Sequence, residues 1–563
     1  MPEIRRIELP EKDRPLRADV SLLGSLVGDM LAEQHGPALL ETVEAVRKAA
    51  IRRREGDTGG GLARVLEDLS HEQVMLVIQA FASYLRAANL AEKVHRLRRR
   101  RVYQRAQIGA QRGSLDYILG ELKRRGVQRD DLIDAINALR IQPVFTAHPT
   151  EATRRTLQEK EYDIVLRLTE RLNPELTPEE DRLAINRIRS ALTSAWQTRL
   201  APHTRPTVAD ELDNILFYLT DILYRTTPEF YERFVEAFET HFGPAPEGLL
   251  ADVILRFGSW VGGDMDGNPN VTSATILATL ATQRSVVVRR YLPEVAGLGR
   301  YLSQSLSEVG VSAAVTEQLE RYARRFPDVQ RDIPERHRDM PYRCLLRMIS
   351  ARLEATLAEG DEGYASAREF EDDVRLIRDS LAANRGEHAG LFAVERLMRR
   401  VRTFGFHLVT LDVRQDALLH RRVLGELLGC DDWADRAVSN RAEVLAQLLE
   451  QGGLPEVSEL TPISDEAREA LDVFRAISSA RQMYGEAAIG LFIISMTQGA
   501  DDVLTALALA EMANPHTGAR SQLDVAPLLE TVDDLEAGPA ILQQLLDLPL
   551  YRKHLERRRR RQA

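Results

Sequence analysis

Between Val20 and about Arg140, apolar residues recur every three or four positions, the period of helices with one buried stripe. SLLGSLVGDMLAEQHGPALLETVEAVRKAAIRRR, GLARVLEDL and HEQVMLVIQAFASYLRAANLAEKVHRL all follow it. The run Glu55-Gly56-Asp57-Thr58-Gly59-Gly60-Gly61 breaks the pattern as a loop by composition. After Arg140 the texture changes. Short apolar runs of strand character now alternate with long helical stretches: IQPVFTAHP from Ile141, VILRFGSWVGGD from Val253, FHLVTLDVRQ from Phe406, AIGLFIISMTQ from Ala488 and LDVAPLLET from Leu523. Each is too continuously apolar for a strand with one wet face, so the expectation is a parallel sheet buried on both faces. Strands that alternate with helices permit a doubly wound sheet or a barrel, and five runs are fewer than the eight strands of a closed barrel. The expected division is a helical region over 1–140 and an α/β region over 141–563.

Composition narrows the class. Of 563 residues, 44% are hydrophobic and 28% charged, which excludes a disordered, collagenous or mucin-like chain. Lys+Arg 75 against Asp+Glu 85 leaves a net charge of -10, which repels a nucleic-acid backbone. The basic segment His95 to Arg112, HRLRRRRVYQRAQIGAQR, has no interleaved aromatic series for base stacking and reads as a solvated helix face or a rim for a small anion. Cys344 and Cys430 are too few for a disulfide framework and lie in no metal spacing. With no signal-like run at the start and no stretch of about 18 apolar residues, the expectation is a cytoplasmic protein outside any membrane.

Chemistry in parallel α/β folds collects at the carboxyl ends of the strands. Those ends carry His148, Asp264 and Asp266, Arg414, Thr497 and Gln498, and Glu530. A base, several carboxylates and a guanidinium at one rim suit an anionic substrate and a metal. The alternative is that any wet strand end is polar. His148 precedes Pro149, which disfavours α conformation before it, and Thr150 is placed to cap a helix starting at Glu151. An imidazole pinned there can serve as a general base or acid, or as a structural group. GSWVGGDMDGNPNVT, Gly258 to Thr272, either lets backbone approach a ligand or forms a rigid turn locked by its Asp side chains. Arg414 in LDVRQDA either presents a fork to phosphate or carboxylate, or pairs structurally with Asp412 or Asp416. Glu530 has the hard oxygens that Mg²⁺ takes, while Asp533, Asp534 and Glu536 are explained by the acidic first turn of a helix.

Taken together, VFTAHPTEATRRT, GSWVGGDMDGNPNVT, FGFHLVTLDVRQ, and IISMTQ followed by VAPLLETVDDL resemble the bacterial phosphoenolpyruvate carboxylases. LGSLVGDMLAEQHG, VHRLRRRR, SAWQTRLAPHTRPTVADEL and PYRCLLRMISARLE match more weakly, in the family's order, so the resemblance covers essentially the whole chain. It implies a mostly helical protein around a TIM-like (β/α) barrel, incomplete in this chain. It also implies the reaction of phosphoenolpyruvate with bicarbonate, with Mg²⁺ or Mn²⁺, to give oxaloacetate and phosphate, a carbon-fixing lyase step that feeds the tricarboxylic acid cycle. The family's catalytic histidine, which helps decompose carboxyphosphate, matches His148; its active-site arginine matches Arg414; one metal carboxylate matches Glu530. The family further implies a cytoplasmic homotetramer.

Two positions depart from the pattern. Met265 stands where the glycine loop usually has arginine, and Asp501 where serine usually follows the ISMTQ strand. Family members also continue into a GYSDSxKD motif, with the other metal carboxylate and a lysine, and an HGRGGSxGRGG phosphate loop. Neither motif occurs in these 563 residues. The expectation is therefore the family's N-terminal and central portion. It would act as one half of a split enzyme completed by a C-terminal polypeptide, or as an inactive fragment.

Overall fold

The computed structural model describes residues 10–56, 60–106, 109–146, 154–198, 207–246, 248–250, 252–457, 462–515 and 522–558. The chain is mostly helical and divides into two compact units. The first comprises Met1–Gly126 and Thr153–Arg205, the second Val127–Ala152 and Pro206–Ala563. This differs from the boundary expected at 140. The helices Arg155–Glu170 and Pro178–Trp196 bury Ile164, Leu168, Ile188, Leu192 and Trp196 in one core with Leu23, Leu26, Val27 and Met30 of the helix Arg14–His35. Hydrophobic burial, not chain order, assigns them to the helical unit.

In that unit the helix His71–Ala106 buries Val77, Ala80, Ala87, Leu90, Ala91 and Val94. By length and mean hydropathy alone it is the one helix among the described residues long and apolar enough to cross a membrane, although Gln79, Ser83, Arg86 and Asn89 interrupt its apolar residues. Its buried stripe packs instead into the helical core. Its basic end is partly neutralised, because Arg98 reaches Asp19 at 2.6 Å and Arg96 reaches Glu92 at 2.7 Å.

Among its described residues the second unit holds one five-stranded sheet: β1 (Val144–Phe145), β2 (Gly258–Ser259), β3 (Thr410–Asp416), β4 (Ile489–Ser495) and β5 (Asp524–Pro527). All neighbours are parallel and the order is β1-β2-β3-β4-β5. Each strand falls on an apolar run picked out by pattern, β3 extending one residue beyond its run to Asp416. A sequential order has no reversal point. By the right-handed crossover rule, such an order places every connecting helix on the same face, whereas a doubly wound sheet must reverse to cover both.

Burial follows from that order. Leu411, Val413, Phe492 and Ile494 point into a core filled by the helix Ala500–Ala513, which is buried nearly all round. On the opposite face Val144 and Leu491 are each 41% exposed. Burial on that face is therefore uneven, since Asp412 and Ile493 are buried there at 2% and 6% exposure: periodicity registers an apolar run but not where other elements cover its second face. Two glycines of the loop after β2 make close approaches. Gly263 packs so tightly against the Asp412 carbonyl that a Cβ would run into it, and Gly262, at φ +86, lies against Thr279.

His420, on the helix Ala417–Leu427, is 3% exposed beside the rings of Phe474 and Phe492. Burial pushes its pKa down to about 4. In the unfolded chain it titrates near 6.5, so between these values only the unfolded state takes up the proton. Stability should accordingly fall as pH drops from about 6.5 toward 4, at up to ~1.4 kcal/mol per pH unit from this group. Denaturant midpoints measured across pH 7 to 4.5 should fall less steeply in His420→Gln; an identical slope would mean His420 is not buried neutral.

Candidate functional site

The strand ends are built alike. β3 runs into Asp416, whose carboxylate accepts N–H bonds from Leu418 at 2.6 Å and Leu419 at 3.3 Å and caps the next helix. β5 is followed by Glu530 and then Thr531, which caps the helix Val532–Asp547 through a reciprocal pair with Asp534. The glycine loop after β2 ends at Thr272, cap of the helix Ser273–Tyr301. Arg414 and Glu530 thus each sit just ahead of a helix start, between rigid elements. Asp534, as expected, is consumed in capping.

Arg414 is the centre. Its Nη2 donates to Asp266 Oδ2 at 2.7 Å and to Glu530 Oε1 at 3.2 Å, and its Nη1 donates to Asp264 Oδ2 at 3.3 Å. The side chain is 16% exposed and its guanidinium carbon lies 5.4 Å from the Trp260 ring centroid. Main chain stitches the same groups together: Arg414 N–H donates to Gly263 O and Met265 N–H to Arg414 O, both at 2.9 Å. Asp264 in turn accepts the Asp266 N–H at 3.3 Å. Burial pushes the Asp264 carboxyl above its ordinary value, with Arg414 pulling the other way. The two readings of Arg414 are resolved as to partner: it binds neither Asp412 nor Asp416. Asp412 is buried and accepts the Leu491 N–H at 2.8 Å, while Asp416 is a cap.

The other strand-end candidates divide. Thr497 is fully buried and donates to Ile494 O at 2.8 Å, and Gln498 accepts from Arg421 Nη1 at 3.0 Å; both serve the fold. His148 lies outside the described residues, as do Pro149, Thr150 and Glu151; the described helix begins at Arg155. Met265 is a buried core residue. Asp501 is fully buried and meets Arg441 Nε at 2.7 Å, beside Asp502, which Arg421 grips through Nε and Nη2 at 2.7 Å each. Pattern reading did not single out Trp260, Arg421 or Arg441. An aromatic directly after the Gly-Ser strand was the available signal for the first.

Among the described residues no group of three His, Cys, Asp or Glu side chains is arranged to hold a metal ion. The donor chemistry nevertheless fits a hard divalent cation. Asp264, Asp266 and Glu530 bring three carboxylates to one guanidinium, an excess of negative charge on oxygen ligands, and Mg²⁺ needs only one or two protein carboxylates beside water and substrate. Glu530 is the most exposed of the three, at 33%.

Residues 16–563 match the family model described as phosphoenolpyruvate carboxylase. A protein of that name from Xanthomonas campestris pv. campestris (strain 8004) is 46% identical over 551 residues, 97% of this chain and 60% of the relative. The one from Xanthomonas oryzae pv. oryzae (strain MAFF 311018) is equally similar, 46% over 551 residues with the same coverage. That from Ralstonia nicotianae (strain ATCC BAA-1114 / GMI1000) is 36% identical over 567 residues, 96% of this chain and 56% of the relative. The chain therefore spans 56% to 60% of the length of these relatives.

Removing one member of the buried Arg421–Asp502 pair should be far costlier than removing an exposed pair. Arg421→Met leaves the Asp502 carboxylate at 1% exposure without its cation, with only the Gln498 and Gly499 N–H groups donating to it, and an expected loss of about 3–5 kcal/mol in chemical unfolding. Arg422→Met, at an exposed pair with Glu466, should change stability by under about 1 kcal/mol. Equal losses would contradict the assignment.

Proposed function

The chain belongs to the phosphoenolpyruvate carboxylase family, and we propose that the carboxyl end of its sheet serves the carboxylation of phosphoenolpyruvate by bicarbonate to oxaloacetate and phosphate. The observation that carries this reading is Arg414 among Asp264, Asp266 and Glu530, at the ends of three strands. Its Nη1 makes one hydrogen bond of the two it can donate, so one donor of the fork remains for an incoming oxyanion. Phosphoenolpyruvate offers both a carboxylate and a phosphate, the two groups a planar guanidinium binds best.

Glu530 is the residue that would hold Mg²⁺ or Mn²⁺. Such an ion, when bound, supplies positive charge against oxygen atoms that become more negative during reaction. Asp264 and Asp266 hold the guanidinium plane and so fix the direction of its free edge. His148 is the proposed base that helps decompose carboxyphosphate. In sequence it follows Phe145 of β1 by three residues, and β1 runs parallel to β2, the strand before the Asp264 loop. The same reading extends the five strands into a TIM-like (β/α) barrel in a cytoplasmic homotetramer. The family's second metal carboxylate and phosphate loop would come from polypeptide outside these residues.

Oxaloacetate formation, followed by coupled reduction to malate, tests this. The chain supplied with a polypeptide carrying the remaining motifs should turn over only with phosphoenolpyruvate, bicarbonate and Mg²⁺ together. Arg414→Met and His148→Asn should each lower kcat/KM by about 10²–10³, the cost of losing one charge-stabilising or proton-transferring group. Turnover indifferent to Arg414→Met would sink the reading.

A further inference from the structure

The helical unit contains a cleft of about 690 Å³ between the end of the helix His71–Ala106 and the hairpin formed by the helices Arg155–Glu170 and Pro178–Trp196. That volume lies within the range of small-molecule sites. Arg101 and Arg105, one turn apart on one helix, face Arg187 on the hairpin across it. None of the three has an ion-pair partner among the described residues, whereas nearby Arg96, Arg98, Arg167, Arg171 and Arg189 are all paired.

The acidic groups of the cleft are already engaged. Glu170 accepts from Arg167 at 2.5 Å, and Glu180 is held by the N–H and hydroxyl of Thr177 in the helix cap. Four arginines therefore line the cleft against two committed glutamates, an excess of positive charge in a chain of net charge -10. Like charges gathered without counter-charge repel one another, and an anion placed among them relieves that. The walls add a second requirement. Leu166 and Leu183 are 38% and 51% exposed, and Leu172 and Leu176 line the same space. An inorganic ion would leave these side chains wet, while an organic anion would cover them.

We propose that this cleft is a binding site for a small organic polyanion, with its charged groups on Arg101, Arg105 and Arg187 and its apolar part on Leu166 and Leu183. The site belongs to the helical unit and is independent of the chemistry assigned to the sheet.

Calorimetric titration with hexyl phosphate at pH 8 and low salt tests it, with inorganic phosphate as the comparison. The purified chain should bind one equivalent of hexyl phosphate at least tenfold more tightly than phosphate. The triple variant Arg101→Gln, Arg105→Gln, Arg187→Gln should lose at least tenfold in affinity, and Leu183→Ser should weaken hexyl phosphate but not phosphate. Arg96→Gln, on the same helix outside the cleft, should bind as the parent does. Circular dichroism and melting temperature confirm the fold of each variant, and the single Arg187→Gln serves if the triple variant does not fold. Absence of binding by the native chain overturns the proposal. So does affinity that survives loss of the cleft arginines in a folded variant, or phosphate binding as tightly as its hexyl ester.

Discussion

The sheet end in this protein depends on one guanidinium placed among three carboxylates. Asp264 and Asp266 come from the loop after β2 and Glu530 from the loop after β5, and without a cation between them their charges would drive these loops apart. Arg414 supplies that cation from the β3 strand that lies between, and its backbone closes the glycine loop through both its N–H and its carbonyl. The tight glycines follow from this. Only a residue without Cβ lets the loop lie on the Asp412 carbonyl closely enough for those bonds to form. Three carboxylates on one arginine also leave the cluster net negative, which is why the same arrangement that holds the loops suits a divalent cation.

A second charged set lies deeper, after β4. Asp501 and Asp502 sit in the first turn of a buried helix and are matched one to one by Arg441 and Arg421. Asp501 adds a buried charge whose desolvation Arg441 and, from 3.9 Å, Arg421 offset, while burial together with Asp502 pushes its carboxyl upward. The two sets differ in use. The deep one pairs each carboxylate with an arginine and is closed to solvent, while the one around Arg414 is partly exposed and unbalanced, with three carboxylates on one guanidinium.

Much of this was legible in the chain. All five strands fall on runs recognised by apolar continuity, and Asp264, Asp266, Arg414 and Glu530 were picked out because strands of one sheet direct their ends to one rim. What pattern could not read was long-range partnership. Arg414 meets residues 150, 148 and 116 positions away, while the nearer carboxylates Asp412 and Asp416 are taken by the backbone. Local spacing ranks such neighbours by sequence distance, and folding does not. The exposure of Val144 and Leu491, and the transfer of 153–205 to the helical unit, were hidden for the same reason: both depend on which elements cover which.

The most direct test of Arg414 as the tie between these loops is a double-mutant cycle with Asp266, read by urea unfolding of Arg414→Met, Asp266→Asn and the pair. The ion pair at 2.7 Å, largely shielded from solvent, predicts a coupling of about 1–3 kcal/mol, so that the second substitution costs much less once the first is made. Strict additivity, within about 0.3 kcal/mol, would mean that the guanidinium and the carboxylate are neighbours without being partners, and the account of the site would fall with it.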